Sequence, residues 1–122
     1  MENKDTYALE IMSELRNYNK FVQTLMKEHI RKGLVLDFGC GFGDFAKHLN
    51  DLGWECDGVE VDQKANLDSQ KKGIKTFNSL SEVKKLYQVV VSLNVLEHIE
   101  DDVKILKNLF DLIEKEGSLV LY

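Results

Sequence analysis

The stretch Asp37-Phe38-Gly39-Cys40-Gly41-Phe42-Gly43-Asp44 places three glycines at alternate positions between two carboxylates. Where a strand gives way to a helix, missing side chains let backbone N–H groups approach a ligand, and the helix N-terminus adds partial positive charge. Dinucleotide loops use such backbone with the spacing G-x-G-x-x-G, which started at Gly39 demands glycine where this chain has Asp44. Charge argues the same way. A pyrophosphate close to Asp37 and Asp44 would meet repulsion of about a kcal/mol or more per close pair, and a cationic ligand would not. The loop therefore asks for a positively charged ligand rather than a phosphate, and a nicotinamide oxidoreductase is disfavoured on both counts.

The loop needs a strand before it and a helix after it. Leu34, Val35, Leu36 and Phe38 around Asp37 form a short apolar run that reads as a buried parallel strand. Phe45, Leu49 and Leu52 then line one face of a helix that starts near Asp44 and stops at Gly53. Residues 55–62 read as a second strand and 63–72 as a weaker helix stopped by Gly73. Residues 74–78 read as a third strand, 79–86 as a short helix and 88–94 as a fourth strand. Val103, Leu106, Phe110 and Ile113 give an apolar stripe that predicts a core-packed helix ending at Gly117, before a fifth strand from Ser118. This alternation implies an α/β fold, an open parallel sheet with right-handed crossovers and helices on its faces, in Rossmann-like layers. Upstream, Leu9, Met12, Leu15, Val22, Leu25 and Met26 recur at helical spacing. Residues 1–32 are thus read as a helical segment preceding a core of 33–122.

Composition limits the partners. The 122 residues are 43% hydrophobic and 30% charged, which suits one globular domain with a modest core. The net charge is −5, and Lys and Arg are dispersed rather than gathered into a basic block, so no nucleic-acid partner is expected. No apolar run approaches the roughly 20 residues of a membrane span, and the start lacks a signal-peptide pattern, so the chain is read as cytoplasmic. Cys40 and Cys56 are the only cysteines, too few for a zinc cluster, and read as two buried thiols rather than a disulfide. There is no repeat, low-complexity tract or proline.

The run "VLDFGCGFG" resembles the first motif of Rossmann-like (class I) S-adenosylmethionine-dependent methyltransferases, an acid followed by G-x-G-x-G. Their cofactor carries an ammonium and a sulfonium but no phosphate, as the loop's charges ask. Two further stretches are similar to the family in order and distance. "DGVEVD" puts Glu60 where the family holds an acid that accepts the ribose hydroxyl hydrogens, and "VVVSLNVLEHIEDD" puts Leu93 and Asn94 where the family wraps backbone around the methionine part and the adenine edge. Family members often carry an acid after the third strand for the adenine amino group; here the residues are Asn78 and Ser79, so these or water must serve. The resemblance thus implies a cofactor cradle of Asp37, Phe38, Gly39, Gly41, Gly43, Glu60, Val61, Asn78, Ser79, Leu93 and Asn94, with S-adenosyl-L-methionine as cofactor and no metal.

It also implies the strand order 3-2-1-4-5 and methyl transfer to an O, N or C nucleophile of a small molecule, most like the branch that includes quinone-biosynthesis methyltransferases and methyltransferases associated with glycan or lipid-carrier synthesis. The sequence stops before the sixth and seventh strands of the family, so an incomplete core is expected, with the fifth strand as an exposed edge open to a homodimer. A non-catalytic cofactor-binding fragment or interaction domain of a larger methyltransferase is the alternative.

His98 follows the fourth strand near the region of methyl transfer and is the candidate base, its reference pKa of roughly 6.5 suiting proton removal from a hydroxyl. A capping or packing role is its competing reading. Arg16 and Tyr18 could close over the ligand or simply form a helix face, and His29 and His48 are assigned no function. The acids of "EHIEDD" are read as a solvated loop and helix start. Asp37, inside an apolar strand, must find donors whether or not a ligand is present, and either bracing of the glycine loop or indirect contact with the ligand ammonium accounts for it.

Overall fold

A computed structural model describes residues 33–92 and 100–121. Strand β1 (Leu34–Phe38) leads into helix α1 (Asp44–Asp51), strand β2 (Glu55–Val59), helix α2 (Gln63–Lys71) and the two-residue strand β3 (Thr76–Phe77). A single 3₁₀ turn (Leu80–Glu82) precedes strand β4 (Tyr87–Ser92), and helix α3 (Asp102–Phe110) precedes strand β5 (Ile113–Leu121). All neighbouring strands pair in parallel, in the order β3-β2-β1-β4-β5. The fold is the Rossmann-like sheet that the alternation of elements implies.

Central strands of such a sheet are covered on both faces, which is why β1 and β4 are nearly continuous apolar runs. Val35, Leu36, Val89, Val90 and Val91 have no exposed surface. On one face Leu36, Phe38, Val59, Val83, Tyr87, Val90 and Leu109 form a single buried cluster. Phe45, Ala46 and Leu49 are the inward residues of α1.

Four expectations change. The short helix read over 79–86 is only the 3₁₀ turn Leu80–Glu82, and the fifth strand starts at Ile113 rather than Ser118. The inner face and the end of α3 also differ. The stripe Val103–Leu106–Phe110–Ile113 is not the inner face of α3, because Val103 and Phe110 are 74% and 60% exposed while Leu109 is fully buried. The helix instead docks through Leu109, with Ile105 and Leu112 beside the same cluster. The sequence holds two overlapping apolar stripes, and packing selects the one offset from the more obvious pattern. The helix also ends at Phe110 rather than at Gly117. Its last turn closes with Leu112 N–H donating to Leu109 O, and Tyr87 N–H then captures Leu112 O at 2.8 Å, drawing the chain into the sheet at once.

Gly117 has a different task. β4 advances from Tyr87 to Val89 while β5 advances from Ile113 to Ser118, so the charged residues Glu114, Lys115 and Glu116 bulge out of the ladder. A Cβ on Gly117 would lie 2.7 Å from Gln88 O, so only glycine brings the strand back against β4. β5 is the sheet's outer strand among the described residues, with Leu121 exposed and Leu119 and Val120 half-buried. No helix of the described residues is long and apolar enough to cross a membrane.

Candidate functional site

The three glycines after β1 hold positive φ, at 80° for Gly39, 59° for Gly41 and 86° for Gly43. This conformation folds the loop across the carboxyl end of β2, where the N–H groups of Gly39 and Cys40 both donate to Val59 O, at 2.8 and 3.0 Å. In open α/β sheets that end of the strands is where ligands bind. Gly43 starts α1, and its missing side chain makes room for α2, since a Cβ there would stand 2.8 Å from Ser69 Oγ.

Glu60, just past β2, ties this end together. Its Oε1 accepts the Gly41 N–H and its Oε2 the Asp62 N–H, both at 2.9 Å. The carboxylate is held rigidly beside the loop with lone pairs to spare on both oxygens. Asp37 lies in β1 just before the loop, only 2% exposed, and its Oδ1 has no hydrogen-bond partner among the described residues. Burial pushes its carboxyl from 3.8 up to about 7, and the negative charge of Glu60 adds to the rise. Two acids thus stand at one junction, Glu60 held by backbone N–H groups and Asp37 with an unpartnered oxygen, and neither forms an ion pair among the described residues.

Helix α2 braces the loop from outside. Asp62 caps its start by accepting the N–H groups of Lys64 and Ala65. Ser69 Oγ donates to Gly41 O at 2.7 Å. Lys72 Nζ reaches Phe42 O at 2.7 Å and Asp44 Oδ1 at 2.8 Å, so this lysine is engaged with the loop's rim rather than offered to an anion. Cys40 and Cys56 are free, buried thiols, as the sequence implies. Burial, with the charge of Asp37, pushes the Cys40 thiol up to about 12, so the loop carries no thiolate nucleophile at neutral pH.

Of the residues singled out from the sequence, Asp37, Gly39, Gly41 and Glu60 meet at this junction. Gly43 sits at the start of α1, the ring of Phe38 belongs to the core cluster, and Val61 is 77% exposed beside Glu60. Asn78 and Ser79 follow β3; Asn78 is exposed, and Ser79 Oγ pairs with Ser81 Oγ at 2.8 Å. Leu93, Asn94 and His98 lie outside the described residues, as do Arg16, Tyr18 and His29.

Sequence reasoning missed three residues that shape the site: Asn66, Ser69 and Lys72. Asn66 and Ser69 on α2 and Lys72 at its C-cap recur every three residues, and the first two are buried. A polar stripe at helical spacing on the face turned to the sheet is the signal that could have found them.

Comparison with known proteins agrees with this geometry. The chain matches the methyltransferase domain family over residues 9–122. It is 32% identical over 103 residues to a ubiquinone biosynthesis O-methyltransferase of Rickettsia typhi, a match covering 75% of this chain and 41% of that protein. The chain therefore spans less than half the length of that curated relative. Among solved structures, magnesium protoporphyrin IX methyltransferase from Synechocystis with bound S-adenosylmethionine superposes with a TM-score of 0.78 at 20% identity, over 93% of this chain and 61% of that one. The glycopeptide N-methyltransferase MtfA complexed with S-adenosylmethionine gives a TM-score of 0.70 at 19% identity, over 86% and 52%. These likenesses carry the fold, and the family match extends through the glycine loop, Glu60 and β5: the chain belongs to the methyltransferase domain family.

Proposed function

We propose that this chain binds S-adenosyl-L-methionine and serves a methyltransferase that modifies an O, N or C nucleophile of a small molecule. The observation that carries the reading is the pair of acids at the glycine loop. Asp37 is buried with an unpartnered oxygen, and Glu60 is pinned by the Gly41 and Asp62 N–H groups. Such a crevice repels phosphate and suits a ligand with an ammonium, a sulfonium and a sugar diol, so the residues present fit this cofactor.

Glu60 would accept from the ribose hydroxyls, the loop backbone at Gly39 and Gly41 would approach the amino-acid part, and Asp37 would balance its ammonium directly or through water. Val61, Asn78 and Ser79 would lie beside the base, and Leu93 and Asn94 would wrap the methionine part and the adenine edge. Bound there, the cofactor supplies a methyl group on a positively charged sulfur. The chain's own part is to hold that group in line with the acceptor and to keep water out. His98 is the base we assign to an oxygen or nitrogen acceptor. The buried thiols suit a reducing compartment, so we place the chain in the cytoplasm. A second copy would pair along the exposed edge of β5; a monomer in light scattering would contradict that pairing.

Isothermal titration tests the central reading. S-adenosylmethionine or S-adenosylhomocysteine should bind the full chain, and Glu60→Ala should weaken binding about 100-fold, the scale of a lost charge-assisted pair of hydrogen bonds. Tight binding of NAD in place of the adenosyl compounds would overturn it.

A further inference from the structure

The glycine loop spends nearly all of its backbone donors on itself and its frame. Gly39 and Cys40 N–H go to Val59 O, Gly41 N–H to Glu60 Oε1 and Gly43 N–H to Cys40 O, all between 2.8 and 3.0 Å. The Phe42 N–H is left without a partner among the described residues. Beside it the loop is open, since a Cβ on Gly41 would meet none of the described residues within 4 Å.

The aim of that donor is set from α2. A trans peptide is planar with its C=O and N–H pointing opposite ways, so whatever holds Gly41 O also directs the Phe42 N–H. Ser69 holds it. The Ser69 side chain has no exposed surface, and its one hydroxyl proton goes to Gly41 O at 2.7 Å, because a carbonyl oxygen only accepts. The Phe42 N–H therefore points away from α2. The next carbonyl, Phe42 O, accepts from Lys72 Nζ at 2.7 Å, and the same ammonium pairs with Asp44 Oδ1 at 2.8 Å. One turn earlier, Asn66 Nδ2 donates to Glu60 O at 2.9 Å and Phe77 O at 3.2 Å, so the same helix also holds the chain at Glu60. Ala65 is the only apolar residue that α2 buries, so these polar contacts fix where the helix sits.

We propose that Ser69 and Lys72 are positioning residues for the amino-acid end of the cofactor: by holding two successive loop carbonyls toward α2, they aim the Phe42 N–H at that end's carboxylate. The inference rests on the proposed S-adenosylmethionine site, which already gives this end to the loop, and adds two residues that act from outside the crevice without touching the ligand. Lys72 has a second effect. With Asp44 unpaired, the incoming carboxylate would approach an uncompensated negative charge.

Titration calorimetry of the full chain with S-adenosylmethionine and with decarboxylated S-adenosylmethionine, which lacks only that carboxylate, tests it. The wild-type chain should prefer S-adenosylmethionine by about tenfold. In Ser69→Ala and in Lys72→Met the preference should fall to within about threefold, through weaker binding of S-adenosylmethionine and not of the decarboxylated compound. Lys72→Arg keeps donors for both Phe42 O and Asp44 and should restore the preference. Lys72 is partly exposed at the end of α2, so its two variants decide the matter even where Ser69→Ala does not fold. Equal binding of both compounds by the wild-type chain, an unaltered preference in the Lys72→Met chain, or a Lys72→Arg chain as impaired as Lys72→Met would overturn the inference while leaving the cofactor site standing. So would equal weakening of both compounds in Lys72→Met, the mark of a merely loosened helix. Failure of S-adenosylmethionine to bind the wild-type chain at all would remove the site and the inference together.

Discussion

Two aspartates in adjacent strands meet opposite fates. Asp37 in β1 and Asp57 in β2 stand one step apart in register, Asp37 opposite Gly58 and Asp57 opposite Leu36, so their side chains leave the sheet on opposite faces. Both are almost fully buried, at 2% and 3% exposed. Asp57 is satisfied: its Oδ2 accepts the Tyr87 hydroxyl at 2.7 Å and pairs with Lys85 Nζ at 3.0 Å, and the same ammonium lies 5.4 Å from the Tyr87 ring centroid. Asp37 keeps an unpartnered oxygen, and Glu60 adds only like charge. A carboxylate that serves the fold closes its own hydrogen bonds. One that costs the fold stability while lying beside a glycine loop is explained by a ligand that completes it.

The comparison breaks most visibly at Asp57. Asp57→Ala should cost about 3 kcal/mol of stability in denaturant unfolding, because it strands the Tyr87 hydroxyl in the core and removes the Lys85 pair. The folded variant should still bind S-adenosylmethionine within about twofold. Loss of binding with stability intact would mean that the two aspartates have been assigned the wrong way round.

Asp37→Asn should act in the opposite sense, raising stability at pH 8 by about 1–2 kcal/mol while weakening cofactor binding about tenfold. The sign follows from the raised carboxyl. The folded state holds this proton up to about pH 7 and the unfolded chain only to 3.8. The stability linked to Asp37 is therefore fully present below 3.8 and is lost as pH rises through about 7. Unfolding measured from pH 4 to pH 8 should show the variant gaining on the wild type over that window.

A smaller effect is expected at the loop's rim. Gly43→Ala should cost about 1 kcal/mol, from a residue forced to positive φ and a Cβ 2.8 Å from Ser69 Oγ. Thermal unfolding reads it, and a neutral result would mean that α2 does not brace the loop.

The strands and the loop were legible because their signals are local. β-branched runs mark β1 and β4, and glycines placed where φ is positive mark the loop between β1 and α1. The inner face of α3 was not, since both the 103/106/110 and the 105/109/112 stripes satisfy helical spacing and only the position of the sheet chooses between them. The start of β5 was hidden by a charged bulge that reads as helix. At the site, Asp37, Glu60 and the glycines stood out through their type and order. The tie from Asn66 to Glu60 and the hold of Ser69 and Lys72 on the loop did not, because each depends on a hydrogen bond between elements that no spacing encodes.

The most direct test of the account is the proton balance of cofactor binding. Calorimetry of S-adenosylmethionine at pH 6, in two buffers of different ionisation enthalpy, should show release of more than about half a proton per site, because the cation brings the Asp37 carboxyl down from its raised value. Asp37→Asn should release none. Binding by the wild-type chain with no proton released, or with the same release in the variant, would contradict the claim that this buried acid awaits a positively charged ligand.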